Sequence, residues 1–143
     1  MKNYFELSFE KSIKTKKKCV EQGFSSLYKI SKIILDSFKS GGKLMICGNG
    51  GSASDAQHLV AELLVRLRPE INRDPIPALF LAQDTSTITA CGNDYSFNNL
   101  FSRNIDALGN KGDSLLAIST SGNSKNIINA ITSAKKKDIK VCA

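Results

Sequence analysis

The sequence predicts an α/β fold: a parallel sheet flanked by helices, with a helical segment ahead of it. Three observations lead there. Short apolar runs of strand length recur at residues 43–47, 78–82, 114–119 and 139–143. Stretches with helical periodicity lie between them. Strands alternating with helices of about a dozen residues demand right-handed crossovers, and hence parallel neighbours.

The elements follow in order. Residues 4–39 read as helical: Phe24, Leu27, Ile30, Ile33, Ile34 and Phe38 recur at helical spacing, and Gly41–Gly42 stops the run. "KLMIC" (43–47) is a short buried strand. A helix is expected from Asp55 to about Leu67, then a proline-rich loop, "RPEINRDPIP", and a second strand, "ALFLA" (78–82). "TSTITACGNDYSFNN" reads as a short helix ending near Gly92 with a loop at Asn93–Asp94, and Phe97–Leu108 as helical. "SLLAIS" (114–119) is a third strand, "TSGNS" a loop, "KNIINAITSAKKK" a helix, and "IKVCA" opens a fourth strand. The 143 residues, 41% of them apolar, suit one domain with a real core.

Composition narrows the function classes. No run approaches the roughly 20 apolar residues of a membrane helix, and no apolar stretch follows the lysines at 16–18 as in a signal peptide. The four cysteines, Cys19, Cys47, Cys91 and Cys142, form neither a C-x-x-C pair nor a zinc-ribbon spacing. A cytoplasmic protein with no membrane partner is expected. The net charge of +7 comes largely from lysines at 14–18 and 135–140, with few aromatics between them. They read as solvated helix faces, which argues against nucleic acid and leaves an anionic small molecule or an acidic partner as the next candidate.

Two strand-to-helix connections carry the chemistry. In open parallel sheets ligands sit beyond the carboxyl ends of strands, where both connections fall. The first, Gly48-Asn49-Gly50-Gly51-Ser52-Ala53-Ser54, matches neither the dinucleotide fingerprint nor the phosphate-binding P-loop. It is a tight turn or a ligand loop. The second places Ser119, Thr120, Ser121 and Ser124 within six residues just before a helix. Hydroxyls and helix amides there can wrap a phosphate. The alternative, Ser124 as a helix cap, accounts for one hydroxyl and leaves three unexplained. On the helix after the first connection, His58, Glu62 and Arg66 form a stripe about 80° wide. His58 and Glu62, at i and i+4, can share one metal ion or one substrate, or form an exposed polar pair.

Together, "GNGGSASDAQHLVAEL", "CGNDYSF", "FSR" and "LLAISTSGNS" resemble the sugar isomerase (SIS) domain family, from about Phe38 to Ala143. The resemblance implies a flavodoxin-like parallel sheet, residues 41–143, with N-terminal helices (1–40) packing in an oligomer as part of one domain. It implies a homotetramer with active sites at subunit interfaces. It implies an aldose–ketose isomerisation through an enediolate, from sedoheptulose 7-phosphate to D-glycero-D-manno-heptose 7-phosphate, for bacterial lipopolysaccharide or capsule precursors. Asn49, Gly50, Gly51, Asn93 and Asp94 would then contact the sugar, and Ser119, Thr120, Ser121 and Ser124 would hold the phosphate. His58 and Glu62 would ligate zinc, with Glu62 also the catalytic base.

Family members continue past the position of Ala143 with a last strand and a long helix. A glutamine and a histidine there complete the zinc site, and nothing in this sequence matches them. The resemblance therefore implies an incomplete SIS domain, a fragment or a prematurely ended reading frame, with little or no isomerase activity by itself. Other outcomes on the same fold are a non-catalytic binding protein, of the kind that associates with the replication initiator, or a sugar-phosphate-sensing domain. Glu62 and Ser121 favour the enzyme over the first. The absence of any legible DNA-binding domain argues against the second.

Overall fold

The structure, a computed structural model, describes residues 2–143. The chain divides into two compact units, the first ending at Lys32 and the second running Ile33–Ala143. The first holds α1 (Lys2–Gln22) and the opening of α2 (Ser25–Lys39). The single helical stretch expected over 4–39 is thus two helices, interrupted at Gly23 and Phe24.

The second unit is built on four parallel strands: β1 (Leu44–Gly48), β2 (Ala78–Phe80), β3 (Ser114–Ile118) and β4 (Lys140–Cys142), in the order β2-β1-β3-β4. Alternation along the strands sorts the core into two layers. Met45, Cys47, Leu115 and Ala117 face one side, where Cys91 of α4 (Thr85–Asp94), Phe101 and Ile105 of α5 (Leu100–Leu108), and Ile127 and Ala130 of α6 (Lys125–Lys136) cover them. Leu44, Ile46 and Phe80 face the other, against Ala56 and Val60 of α3 (Gly51–Leu64) and against Ile34 and Phe38 at the end of α2. Every residue of β1 is buried, as a central strand covered on both faces requires. Burial of its thiol pushes the Cys47 pKa up to about 12, so this cysteine is an inert core group.

At the amino ends of the strands, Asp113 is the main polar tie. Its carboxylate accepts hydrogen bonds from the Lys43 ammonium (2.6 Å), the Lys43 backbone N–H (2.9 Å) and the Asn110 N–H (2.8 Å). Burial raises the carboxyl pKa, but these donors and the lysine charge outweigh it and hold Asp113 below the ordinary carboxylate value.

Three boundaries differ from the sequence expectation. β2 stops at Phe80, because Ala82 adopts a left-handed backbone (φ 70) that turns the chain away from the sheet. α3 begins at Gly51, four residues before Asp55, and ends at Leu64. α4 runs through Asn93 and Asp94, which were expected in a loop, and closes with the Tyr95 N–H on the Cys91 carbonyl. A 3-10 turn, Phe97–Asn99, then leads into α5.

Candidate active site

β1 and β3 are neighbours, paired in register from Leu44↔Ser114 to Gly48↔Ile118. The chain leaves β1 for α3 on one face of the sheet and leaves β3 for α6 on the other. Strand order therefore reverses between them, and such a switch point opens a crevice beyond the carboxyl ends. Both chemistry-bearing connections meet there.

The glycine connection is a tight turn. Gly50 caps α3 with φ 56 and ψ −123, a conformation that side chains strongly disfavour. It reverses the chain in one residue, which is why the helix starts earlier than its apolar pattern signals. The Asn49 carbonyl accepts from Ser52 N–H, and the Gly50 carbonyl from Ala53 and Ser54 N–H. These first-turn amides are thus already engaged. Gly48 is required for space, since a Cβ would lie 2.5 Å from the Ser52 carbonyl oxygen. Gly51 meets neither constraint: a Cβ there would have nothing within 4 Å. Beside Asn49 and Gly50 lies a hollow of about 300 Å³, also lined by Gln57, Gln83, Thr85 and Phe97.

The serine connection is folded around its own hydroxyls. Ser119 Oγ accepts from the Gly122 N–H at 3.1 Å and shares a hydrogen bond with Ser124 Oγ at 3.3 Å. Ser121 Oγ accepts from the Asn123 N–H at 3.2 Å. Thr120 is exposed. Ser124 does stand at the N-cap of α6, but its hydroxyl makes no cap hydrogen bond and turns to Ser119 instead. Three serine hydroxyls thus gather at the start of α6, where amides lacking intrahelical partners and the helix dipole favour an anion. Both turns engage several of their own amides, and what sets the serine turn apart is its three gathered hydroxyls.

One residue that sequence reasoning missed joins the two. The Asn126 side chain donates to Asn49 Oδ1 at 2.8 Å and accepts from Asn49 Nδ2 at 2.9 Å.

His58 and Glu62 are brought together as their spacing predicts, with Nε2 and Oε1 3.2 Å apart. Arg66 turns away and donates to the Pro69 carbonyl. The Arg73 guanidinium, also missed, donates to the Glu62 and Leu63 carbonyls and so caps the end of α3 beneath Glu62. Among the described residues no group of three or more His, Cys, Asp or Glu side chains is placed to hold a metal. A catalytic zinc takes three protein ligands, so His58 and Glu62 do not by themselves form a zinc site.

Asn93 and Asp94 close on each other, Nδ2 to Oδ1 at 2.8 Å. Asp94 lines a separate hollow with Tyr95, Arg103 and Asn104, and the Arg103 guanidinium stacks 3.9 Å from the Tyr95 ring centre. The "FSR" and "CGNDYSF" segments are therefore packed together.

Comparison with known proteins gives one family. The SIS domain profile matches residues 8–143. A phosphoheptose isomerase of Shewanella loihica is 52% identical over 136 residues, covering 95% of this chain and 68% of that protein. One from Shewanella denitrificans is 52% identical with the same coverage. Among solved structures, phosphoheptose isomerase from Neisseria gonorrhoeae superposes with a TM-score of 0.87 at 38% identity, over 98% of this chain and 72% of that one. The enzyme from Francisella tularensis superposes with a TM-score of 0.87 at 38% identity, over 97% and 72%. With the profile spanning both connections and the sheet between them, the chain belongs to the SIS domain family and is related within it to phosphoheptose isomerases.

Proposed function

We propose that this chain isomerises sedoheptulose 7-phosphate to D-glycero-D-manno-heptose 7-phosphate. The observation that carries the reading is the gathering of Ser119, Ser121 and Ser124 at the start of α6, at the switch point between β1 and β3. The hydroxyls, with Thr120 and the α6 amides, take the phosphate. The bare backbone of Gly50 and Gly51 admits the sugar closely. Binding of the phosphate then orients the reacting carbons, which do not touch it.

The reaction moves one proton between carbons and one between oxygens. A base removes it from C1 of the ketose, the enediolate forms, and the proton returns at C2 while the hydroxyl proton passes from O1 to O2. Glu62 is the proposed base, steadied by His58 on the preceding turn and by Arg73 on its carbonyl. His58 Nε2 and Glu62 Oε1 can also supply two donors toward a zinc ion. Asn93 and Asp94 are proposed to contact the sugar.

Geometry favours a shared active site. Glu62 lies eleven residues past Gly51, about 16 Å further along α3 at the usual helical rise. That exceeds what one extended heptose phosphate spans. That separation from the glycine turn supports a site in which Glu62 of one copy serves a substrate held by the turns of a second. A homotetramer meets this need, and exposed Phe5, Phe9, Leu27 and Tyr28 on α1 and α2 offer it apolar surface. No helix among the described residues is long and apolar enough to cross a membrane. Free Cys19, Cys47, Cys91 and Cys142 fit the proposed cytoplasmic setting.

Incubation with sedoheptulose 7-phosphate in heavy water tests the reading. The wild-type chain should wash deuterium into the heptose phosphate. Glu62→Gln should abolish exchange and keep its affinity for inorganic phosphate. Undiminished exchange in that variant removes Glu62 from the mechanism. A wild-type chain that binds the sugar phosphate and exchanges no proton is a binding protein.

A further inference from the structure

The β1–β3 ladder ends at Gly48↔Ile118. Beyond it, among the described residues, the only hydrogen bonds joining the glycine connection to the β3–α6 segment are the two between Asn49 and Asn126. Asn126 is 3% exposed. Its Oδ1 also accepts from the Ile127 N–H at 3.0 Å, so one buried amide holds both the glycine turn and an orphan donor of the α6 first turn. Two side-chain amides paired donor to acceptor in both directions form a closed, planar contact with one geometry.

We propose that Asn126 and Asn49 are positioning residues that fix the serine turn against the glycine turn, so that phosphate and sugar are gripped in one register. The functional half of this inference rests on reading the serine turn as the phosphate site. Asn126 touches no substrate; it acts through α6 and Asn49. Removing either partner leaves the other's amide unpaired, buried in the case of Asn126, and the α6 first turn loses the hydrogen bonds that join it to the neighbouring connection.

The test is amide exchange by NMR on the full chain, with Asn49→Ala, Asn126→Ala, the double variant and Asn126→Asp, each with and without inorganic phosphate. Asn49→Ala alters a site 77 residues from Asn126 in sequence. It should nevertheless speed exchange of the Ile127 and Ile128 amides by about tenfold or more, the size expected for losing the part-buried pair of hydrogen bonds between Asn49 and Asn126, with the amides of β1 and β3 unchanged. Asn126→Ala should do the same, and the double variant should be no worse than the poorer single. Asn126→Asp keeps the acceptor for Asn49 and Ile127 and loses the donor, so it should fall between wild type and alanine, and it serves if Asn126→Ala does not fold. Phosphate affinity should drop by about tenfold in the alanine variants. Wild-type exchange at Ile127 and Ile128 in Asn49→Ala overturns the coupling, as do single losses that add in the double. Failure of the phosphate reading shows separately, as wild-type Gly122 and Asn123 signals that phosphate does not move; the exchange comparison decides the coupling either way.

Discussion

Gly48 and Gly51 flank the same turn and should respond to alanine in opposite ways. A Cβ on Gly48 would sit 2.5 Å from the Ser52 oxygen and 2.7 Å from the Ser52 carbonyl carbon, against an ordinary contact beginning at 3.4 Å. Both atoms are backbone of the first turn of α3, so no rotamer change relieves them. The turn must move by about 0.9 Å, the difference between those distances. Overpacking of that kind costs about 1–3 kcal/mol, or roughly 3–9 °C of melting temperature for a chain of this size. A shift near 1 Å at a ligand turn also costs affinity. A Cβ on Gly51 meets nothing within 4 Å and needs no unusual backbone. Gly51→Ala should melt with wild type or gain up to about 1 kcal/mol from better helix propensity. Its methyl would nonetheless stand where the sugar approaches, and affinity for sedoheptulose 7-phosphate should fall about tenfold. Thermal melts followed by circular dichroism, paired with calorimetric titration, read both effects. Gly48→Ala melting with wild type refutes the packing argument, and Gly51→Ala binding like wild type removes that backbone from the substrate site.

Two further outcomes concern stability. Asp113 has a folded-state pKa held below its ordinary value, so it contributes stability that is present above the unfolded-state pKa and is lost as pH falls through the folded one. Asp113→Asn should cost about 2 kcal/mol at neutral pH, and urea titrations should show the gap to wild type narrowing below about pH 4; an undiminished gap at pH 3 contradicts the assignment. Ser114 is 0% exposed and its hydroxyl finds no partner among the described residues. Ser114→Ala should therefore be neutral or stabilising by up to about 1 kcal/mol, and a loss above that in chemical denaturation would reveal a partner for the hydroxyl.

What the sequence discloses is what local pattern controls. The contiguous apolar runs around Met45 and Leu115 mark buried parallel strands, and the i, i+4 spacing of His58 and Glu62 suffices to place them in contact. The position of both connections at the carboxyl end follows from the alternation of strand and helix. The apolar period of α3 begins after its first turn and points to a later start, while Gly50 and the carbonyls of Asn49 and Gly50 set the real one. Gly92 looks like a stop and points to a loop at Asn93 and Asp94, yet the helix, with Cys91 buried one residue earlier, runs through them. The Asn49–Asn126 pair spans 77 residues and leaves no periodic trace. Arg73 sits in a proline-rich loop whose composition gives no hint that it returns to the end of α3.

The most direct test of the whole account is a crystal structure of the chain with sedoheptulose 7-phosphate. The account predicts the phosphorus within hydrogen-bonding reach of the Ser119, Ser121 and Ser124 hydroxyls at the start of α6, with the sugar over Gly50–Gly51 and its reacting carbons beside Glu62 of a second copy. A phosphate bound elsewhere, with the serine turn empty, would contradict it.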